Sequence, residues 1–175
     1  MSRRALPESP CIRAQTSVTS RLDVHDVAAF LRAFPPVEYN IEGDPRPGFI
    51  DFVVSVRPTQ CTLVPVMPGE ITSQAGWPAD TPRSFLASSI DGLHGAGVRV
   101  SLFVDPEDAP IRWAADLGAD RIELYTEGYA RAFGTSQQAQ VLAQYAATAQ
   151  AALDCGLGVN AGHDLNRDNL TAFLK

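Results

Sequence analysis

Three cysteines, three histidines and two tryptophans are all that the 175 residues hold of those types, and each scarcity excludes something. Cys11, Cys61 and Cys155 are odd in number and far apart. They have neither metal-ligand spacing nor the pattern of a disulfide framework. No metal site is therefore expected, and a reducing, cytoplasmic setting is. No apolar run approaches the roughly 18 residues that a spanning helix needs, so no membrane partner is expected. The start, Met1-Ser2-Arg3-Arg4, is basic but lacks the apolar segment of a secretory signal. Positive charge is also short: 14 Lys and Arg stand against 20 Asp and Glu, a net charge of −6. That balance argues against nucleic acid and anionic membranes as partners. Small phosphorylated substrates stay open, because backbone amides at helix N-termini hold phosphate without lysine.

What is present is a core-forming composition, 45% hydrophobic and 19% charged, as in globular domains. Residues 1–20 carry Pro7, Pro10 and little apolar periodicity, and are expected to form a loose leader; residues 21–175 read as one domain. Helix patterns cover Leu22–Phe34, Phe49–Val56, a stretch from Thr81-Pro82 to about Leu93, then 106–117, 136–153 and 166–174. Strand patterns cover Val37–Glu42, Cys61–Pro65, Val98–Val104, Arg121–Tyr125 and 157–161. A long loop, Val66 to Ala79, has the length of loops that carry function. Five strands thus alternate with helices, the signature of parallel βα units. Glycine turns at Gly95-Ala96-Gly97, Leu117-Gly118-Ala119 and Cys155-Gly156-Leu157-Gly158 have the residues of left-handed helix caps. Both a (β/α)8 barrel and a doubly wound sheet fit this alternation. The first strand runs into Glu42-Gly43-Asp44-Pro45, which is no G-x-G-x-x-G loop. The expected fold class is therefore α/β, a TIM-type barrel incomplete in this chain, with about five parallel βα units of eight.

In parallel α/β folds the site lies at the carboxyl ends of the strands, and the polar residues there are few. Glu42 ends the first strand, before a glycine that gives a ligand room; it reads as a general base or as an exposed loop glutamate. Asp105, ahead of Pro106, reads as a helix N-cap. Glu123 alternates with Ile122 and Leu124, so it points into the barrel lumen. It is either a site carboxylate or the partner of Arg99 or Arg121. His163 follows Ala161 and Gly162, small residues that let a ligand approach. It is an acid–base candidate or a histidine that hydrogen-bonds at a helix start. Asp164 beside it favours the acid form of the ring. His25 and His94 are expected at the surface without partners, and Trp77 and Trp113 as packing groups.

These strand ends resemble the pyridoxine 5′-phosphate synthase (PdxJ) family. The matching segments are Cys61-Thr62-Leu63-Val64-Pro65, Gly69-Glu70-Ile71-Thr72-Ser73 and Val100-Ser101-Leu102-Phe103-Val104-Asp105. Ile122-Glu123-Leu124-Tyr125-Thr126 with Gly128-Tyr129-Ala130 matches too, as does Val159-Asn160-Ala161-Gly162-His163 with Leu165. Order and spacing agree from about Asp26 to about Leu174. The resemblance implies a phosphate-binding barrel that condenses 1-deoxy-D-xylulose 5-phosphate with 3-amino-2-oxopropyl phosphate to pyridoxine 5′-phosphate. It implies no redox cofactor and no metal, and assembly into homo-oligomers. It places Glu42 on the general base, His163 on the proton donor and Glu123 on the glutamate that stabilises the transition state. Thr72 falls where the family's loop touches the sugar phosphate. Asp164 stands where the family has glycine, which puts a carboxylate beside a phosphate.

The resemblance begins near the family's third strand and stops after the seventh. The second strand's catalytic His, followed by Arg, and the eighth strand's Gly-His loop have no counterpart. The expectation is a divergent synthase seen as a fragment or truncated gene. The alternatives are a non-catalytic or partner-dependent barrel piece and another phosphate-binding barrel enzyme.

Overall fold

The computed structural model describes residues 11–13, 21–33, 37–66 and 73–175. Six parallel strands form one open sheet in sequence order. They are β1 (Cys11–Arg13), β2 (Glu38–Gly43), β3 (Gln60–Leu63), β4 (Arg99–Val104), β5 (Arg121–Leu124) and β6 (Gly158–Ala161). The helices between them are α1 (Arg21–Leu31), α2 (Pro47–Val56), α3 (Arg83–Gly95), α4 (Asp108–Asp116), α5 (Glu127–Ala132) and α6 (Gln138–Asp154); α7 (Leu170–Phe173) follows β6. Neighbouring strands in unbroken sequence order, each joined by a helical crossover, are the βα units of a TIM-type barrel, incomplete among the described residues.

The sheet's two faces explain the sequence pattern. Tyr39, Ile41, Cys61, Leu63, Val100, Leu102, Val104, Ile122 and Leu124 are all buried against the helices. Their alternating neighbours face the other way, as the twofold period of a strand requires. On that inner face stand Asn40, Gln60, Thr62, Ser101 and Glu123, each at most 3% exposed. Barrel interiors are usually filled by branched aliphatic side chains, so a lumen layer of amides, hydroxyls and a carboxylate departs from the ordinary pattern. Gly97, Gly118 and Gly156 close three helices at φ of 76°, 81° and 82°, the left-handed caps expected of those turns.

Three expectations need correction. Cys11–Arg13 pairs in parallel with Glu38–Asn40 and so adds a strand inside the stretch read as a leader. Three residues with one β-branched side chain are too short to announce themselves without a partner strand. This strand also occupies the place before β2 where no counterpart was expected. Asp105 does not cap α4, which begins at Asp108 after Glu107; its Oδ2 instead accepts the Gly76 N–H at 3.2 Å. His94 has a partner, with Nε2 2.8 Å from Asp120 Oδ2. The helix α5, unread in the sequence, is six residues with a glycine second, too short for periodicity to show. Trp77 and Trp113 do pack, with ring centroids 6.4 Å apart.

Candidate active site

The site is built from strand alternation. In β2, Asn40 and Glu42 share the inner face with Glu38, and register sets Asn40 beside Gln60 and Glu42 beside Thr62. In β5, Arg121 and Glu123 share that face, with Glu123 beside Asn160 of β6 and Phe103 of β4. Glu42 lies within β2 and is half-buried, so it is no exposed loop residue. Burial first, and then the negative charge of Glu42, push the Cys61 thiol above its ordinary range.

A directed hydrogen-bond chain runs through this layer. The Arg99 guanidinium is held by Glu38, with Nη2 2.6 Å and Nη1 3.2 Å from its two oxygens. Its Nε donates to Gln60 Oε1 at 3.3 Å, and arginine can only donate. Gln60 must therefore turn its Nε2 to Asn40 Oδ1, which it reaches at 3.1 Å. Thr62 Oγ1 lies 3.1 Å from the same Asn40 oxygen and 3.5 Å from Glu123 Oε2. One arginine thus fixes both amides, and the single Thr62 hydroxyl proton is left to be shared between Asn40 Oδ1 and Glu123 Oε2. The second arginine, Arg121, donates to Asn160 Oδ1 at 2.9 Å, and Asn160 Nδ2 donates to Ser101 at 3.3 Å.

His163 belongs to a second cluster at the strands' carboxyl ends. It sits in the turn after β6, with Nδ1 2.6 Å from Asp164 Oδ2. Its ring meets Tyr125 edge-on at 5.4 Å and 77°, and Phe103 at 6.2 Å. An open cavity of about 400 Å³ is lined by Ser73, Gln74, Tyr125, Glu127, Arg131, His163 and Asp164. The Tyr125 hydroxyl donates to Glu127 at 3.0 Å, and Arg131 holds the other Glu127 oxygen at 2.6 Å. Burial first, and then the Glu127 carboxylate, push the Tyr125 phenol up to about 12. Ser73 and Gln74 reach the cavity because the long loop is drawn back onto the sheet. Ser73 Oγ donates to the Pro65 carbonyl, Trp77 Nε1 donates to the Leu63 carbonyl at 2.9 Å, and Trp77 N donates to the Phe103 carbonyl at 2.8 Å.

Of the residues singled out in the sequence, His163 and Asp164 are brought into contact. Thr62 is the register neighbour of Glu42 and lies 3.5 Å from Glu123 Oε2 through its hydroxyl. Among the described residues, neither glutamate lines the His163 cavity; Phe103, the register neighbour of Glu123, has its ring centroid 6.2 Å from that of His163. Thr72 lies outside the described residues, next to Ser73. Arg99 is engaged by Glu38 and Gln60, as above. Asn40, Thr62, Asn160, Tyr125, Glu127 and Arg131 were not anticipated. The signal that finds the first three is the alternation that found Glu123, applied to every strand. No group of three or more His, Cys, Asp or Glu arranged to hold a metal ion is present among the described residues. No helix among them is long and apolar enough to cross a membrane.

The chain is similar to known proteins of one family. The profile of the family described as pyridoxal phosphate biosynthesis protein PdxJ matches residues 13–175. A pyridoxine 5′-phosphate synthase of Albidiferax ferrireducens is 49% identical over 158 residues, which is 87% of this chain and 63% of that protein. One of Bacteroides fragilis is 48% identical over 155 residues, 89% of this chain and 63% of its own length. One of Cytophaga hutchinsonii is 47% identical over 145 residues, 83% of this chain and 60% of its own. The chain thus spans about 63% of the length of the first two of these curated relatives. With its parallel βα units and its polar strand ends, this chain belongs to the PdxJ family of pyridoxal phosphate biosynthesis proteins.

Proposed function

We propose that this chain carries the reacting groups of a pyridoxine 5′-phosphate synthase. The reaction condenses 1-deoxy-D-xylulose 5-phosphate with 3-amino-2-oxopropyl phosphate and releases phosphate and water. The observation that carries this reading is the placing of Glu42, Glu123 and His163. They stand on the inner face or the carboxyl ends of β2, β5 and β6 in a family with relatives named for that activity. Imine formation, phosphate elimination and ring closure are successive proton transfers, and they need acid and base groups on different sides of one space. Glu42 is the general base. His163 is the proton donor at the cavity. Glu123, oriented by Thr62, stabilises the charge that develops between them. Thr72 with the loop around Ser73 contacts the sugar phosphate, and no metal or redox cofactor takes part. The protein works as a cytoplasmic homo-oligomer.

The test supplies both substrates to the purified chain and follows pyridoxine 5′-phosphate by its absorbance and mass. Turnover that is lost in Glu42→Gln and in His163→Ala is the expected result. No product from the parent chain, or product undiminished in both variants, refutes the reading. A second reading is favoured by β6, whose outer edge has no strand partner among the described residues and which is only half-buried. On that reading the chain turns over only after another chain completes its sheet. Activity that rises steeply with protein concentration, in step with the mass measured by light scattering, distinguishes it.

A further inference from the structure

Asp164 is a poor choice of residue for its backbone. Its φ is 61°, the left-handed region where glycine sits without strain and other residues are uncommon. The turn that holds it is tied down by hydrogen bonds. Asn169, 3% exposed, donates from Nδ2 to the Asp164 carbonyl at 3.1 Å. The carbonyl of Asn169 in turn receives the buried Tyr129 hydroxyl at 2.9 Å. What the aspartate gains there is one contact, Oδ2 to His163 Nδ1 at 2.6 Å, with the two side chains 35% and 24% exposed.

We propose that Asp164 and His163 form a dyad in which Asp164 is a positioning residue: it holds the Nδ1–H tautomer of His163 and leaves Nε2 as the nitrogen that exchanges a proton with a ligand in the cavity. An ionised carboxylate only accepts hydrogen bonds, so Nδ1 must donate. The other ring nitrogen is then the one with a lone pair when the ring is neutral, and with a proton to give when it is charged. The remaining groups around the ring do not compete for Nδ1. Tyr125 meets the imidazole in a T-shaped ring contact and gives its hydroxyl to Glu127. Glu127 is held by Arg131 as well, and Phe103 is apolar. The step itself balances simply: a proton passes between substrate and Nε2, no bond forms to the protein, and nothing is oxidised. The catalytic half of this inference rests on the reading of His163 as a reacting group; the tautomer does not.

The experiment is long-range proton–nitrogen correlation NMR on the full chain labelled with 15N-histidine, at alkaline pH, where the ring is neutral. With three histidines in the chain, the spectrum of His163→Gln identifies the resonance. The parent chain is expected to show His163 protonated on Nδ1. Asp164→Gly is expected to lose that signature and move toward the Nε2-protonated form. Circular dichroism on the variant checks that the fold is kept. If the parent chain turns over, kcat of Asp164→Gly falls at least about tenfold, as wrong-tautomer histidines do. An identical tautomer in parent and Asp164→Gly overturns the dyad. A shifted tautomer with unchanged kcat, in an enzyme that His163→Ala inactivates, overturns the positioning role. A shifted tautomer in a chain where His163→Ala leaves turnover intact supports the dyad and overturns instead the synthase reading of His163.

Discussion

Asn40 is the knot of the lumen chain, and replacing it with leucine tests whether that chain is structural or incidental. The side chain is 3% exposed, and its Oδ1 is shared by Gln60 Nε2 and Thr62 Oγ1, each at 3.1 Å. Leucine keeps the branched shape but is bulkier, so some overpacking adds to the polar loss. Gln60 and Thr62 are 3% and 0% exposed, so water does not replace the lost acceptor. A buried donor left without a partner costs about 1–3 kcal/mol. Thr62 retains Glu123 Oε2 at 3.5 Å, which places its share at the low end. Asn40→Leu should therefore destabilise by about 2–4 kcal/mol and lower Tm by roughly 5–15 °C. Thr62→Val alone should cost about 1–2 kcal/mol. The two changes remove the same bond, so the double variant should cost less than the sum by about 1 kcal/mol. Urea denaturation of the four proteins, followed by circular dichroism, completes the cycle. A loss below about 0.5 kcal/mol for Asn40→Leu, or additivity within about 0.3 kcal/mol, refutes the chain as a coupled unit.

Gly76→Ala should destabilise by about 3 kcal/mol, the upper end for overpacking, because its Cβ would collide with the Val104–Asp105 backbone. Urea titration measures this, and loss of the Trp77 fluorescence environment should accompany it. All four tyrosines have phenols raised by burial, Tyr125 to about 12. The unfolded chain, with phenols near the ordinary value of about 10, thus releases protons first. Stability should be undiminished by these groups below pH about 10 and fall between about 10 and 12; a stability–pH profile that stays flat across that window contradicts it. In a Cys11→Ser background, Cys155 is exposed and Cys61 buried. One thiol should react rapidly with a chromogenic disulfide under native conditions, and the second only on unfolding.

Much of the architecture was legible because it rests on local periodicity. Alternation at Ile122-Glu123-Leu124 places the carboxylate inside, and burial bears out both the apolar neighbours and the polar one. Glycine turns at 97, 118 and 156 mark helix ends through a backbone conformation that only glycine takes cheaply. Elements too short to have a period escaped. Cys11–Arg13 becomes a strand through its pairing with β2, and Glu127–Ala132 becomes a helix at the mouth of the sheet. Asp105-Pro106 reads as a cap, yet the aspartate serves a loop that returns from 29 residues earlier. That is a contact between segments no local rule connects.

The site divides the same way. That Glu42, Glu123 and His163 stand at strand ends follows from the sequence alone, because strand direction and the twofold period are properties of each strand by itself. Which of them meet is decided by register and by the turns between elements. Register sets Thr62 between Glu42 and Glu123. A left-handed turn folds Asp164 back on His163, and the rings of Phe103 and Tyr125 pack against that histidine. The sequence by itself determined which residues face the lumen. Only the tertiary structure decided their partners, because a hydrogen bond within 3.5 Å depends on the placement of two segments at once.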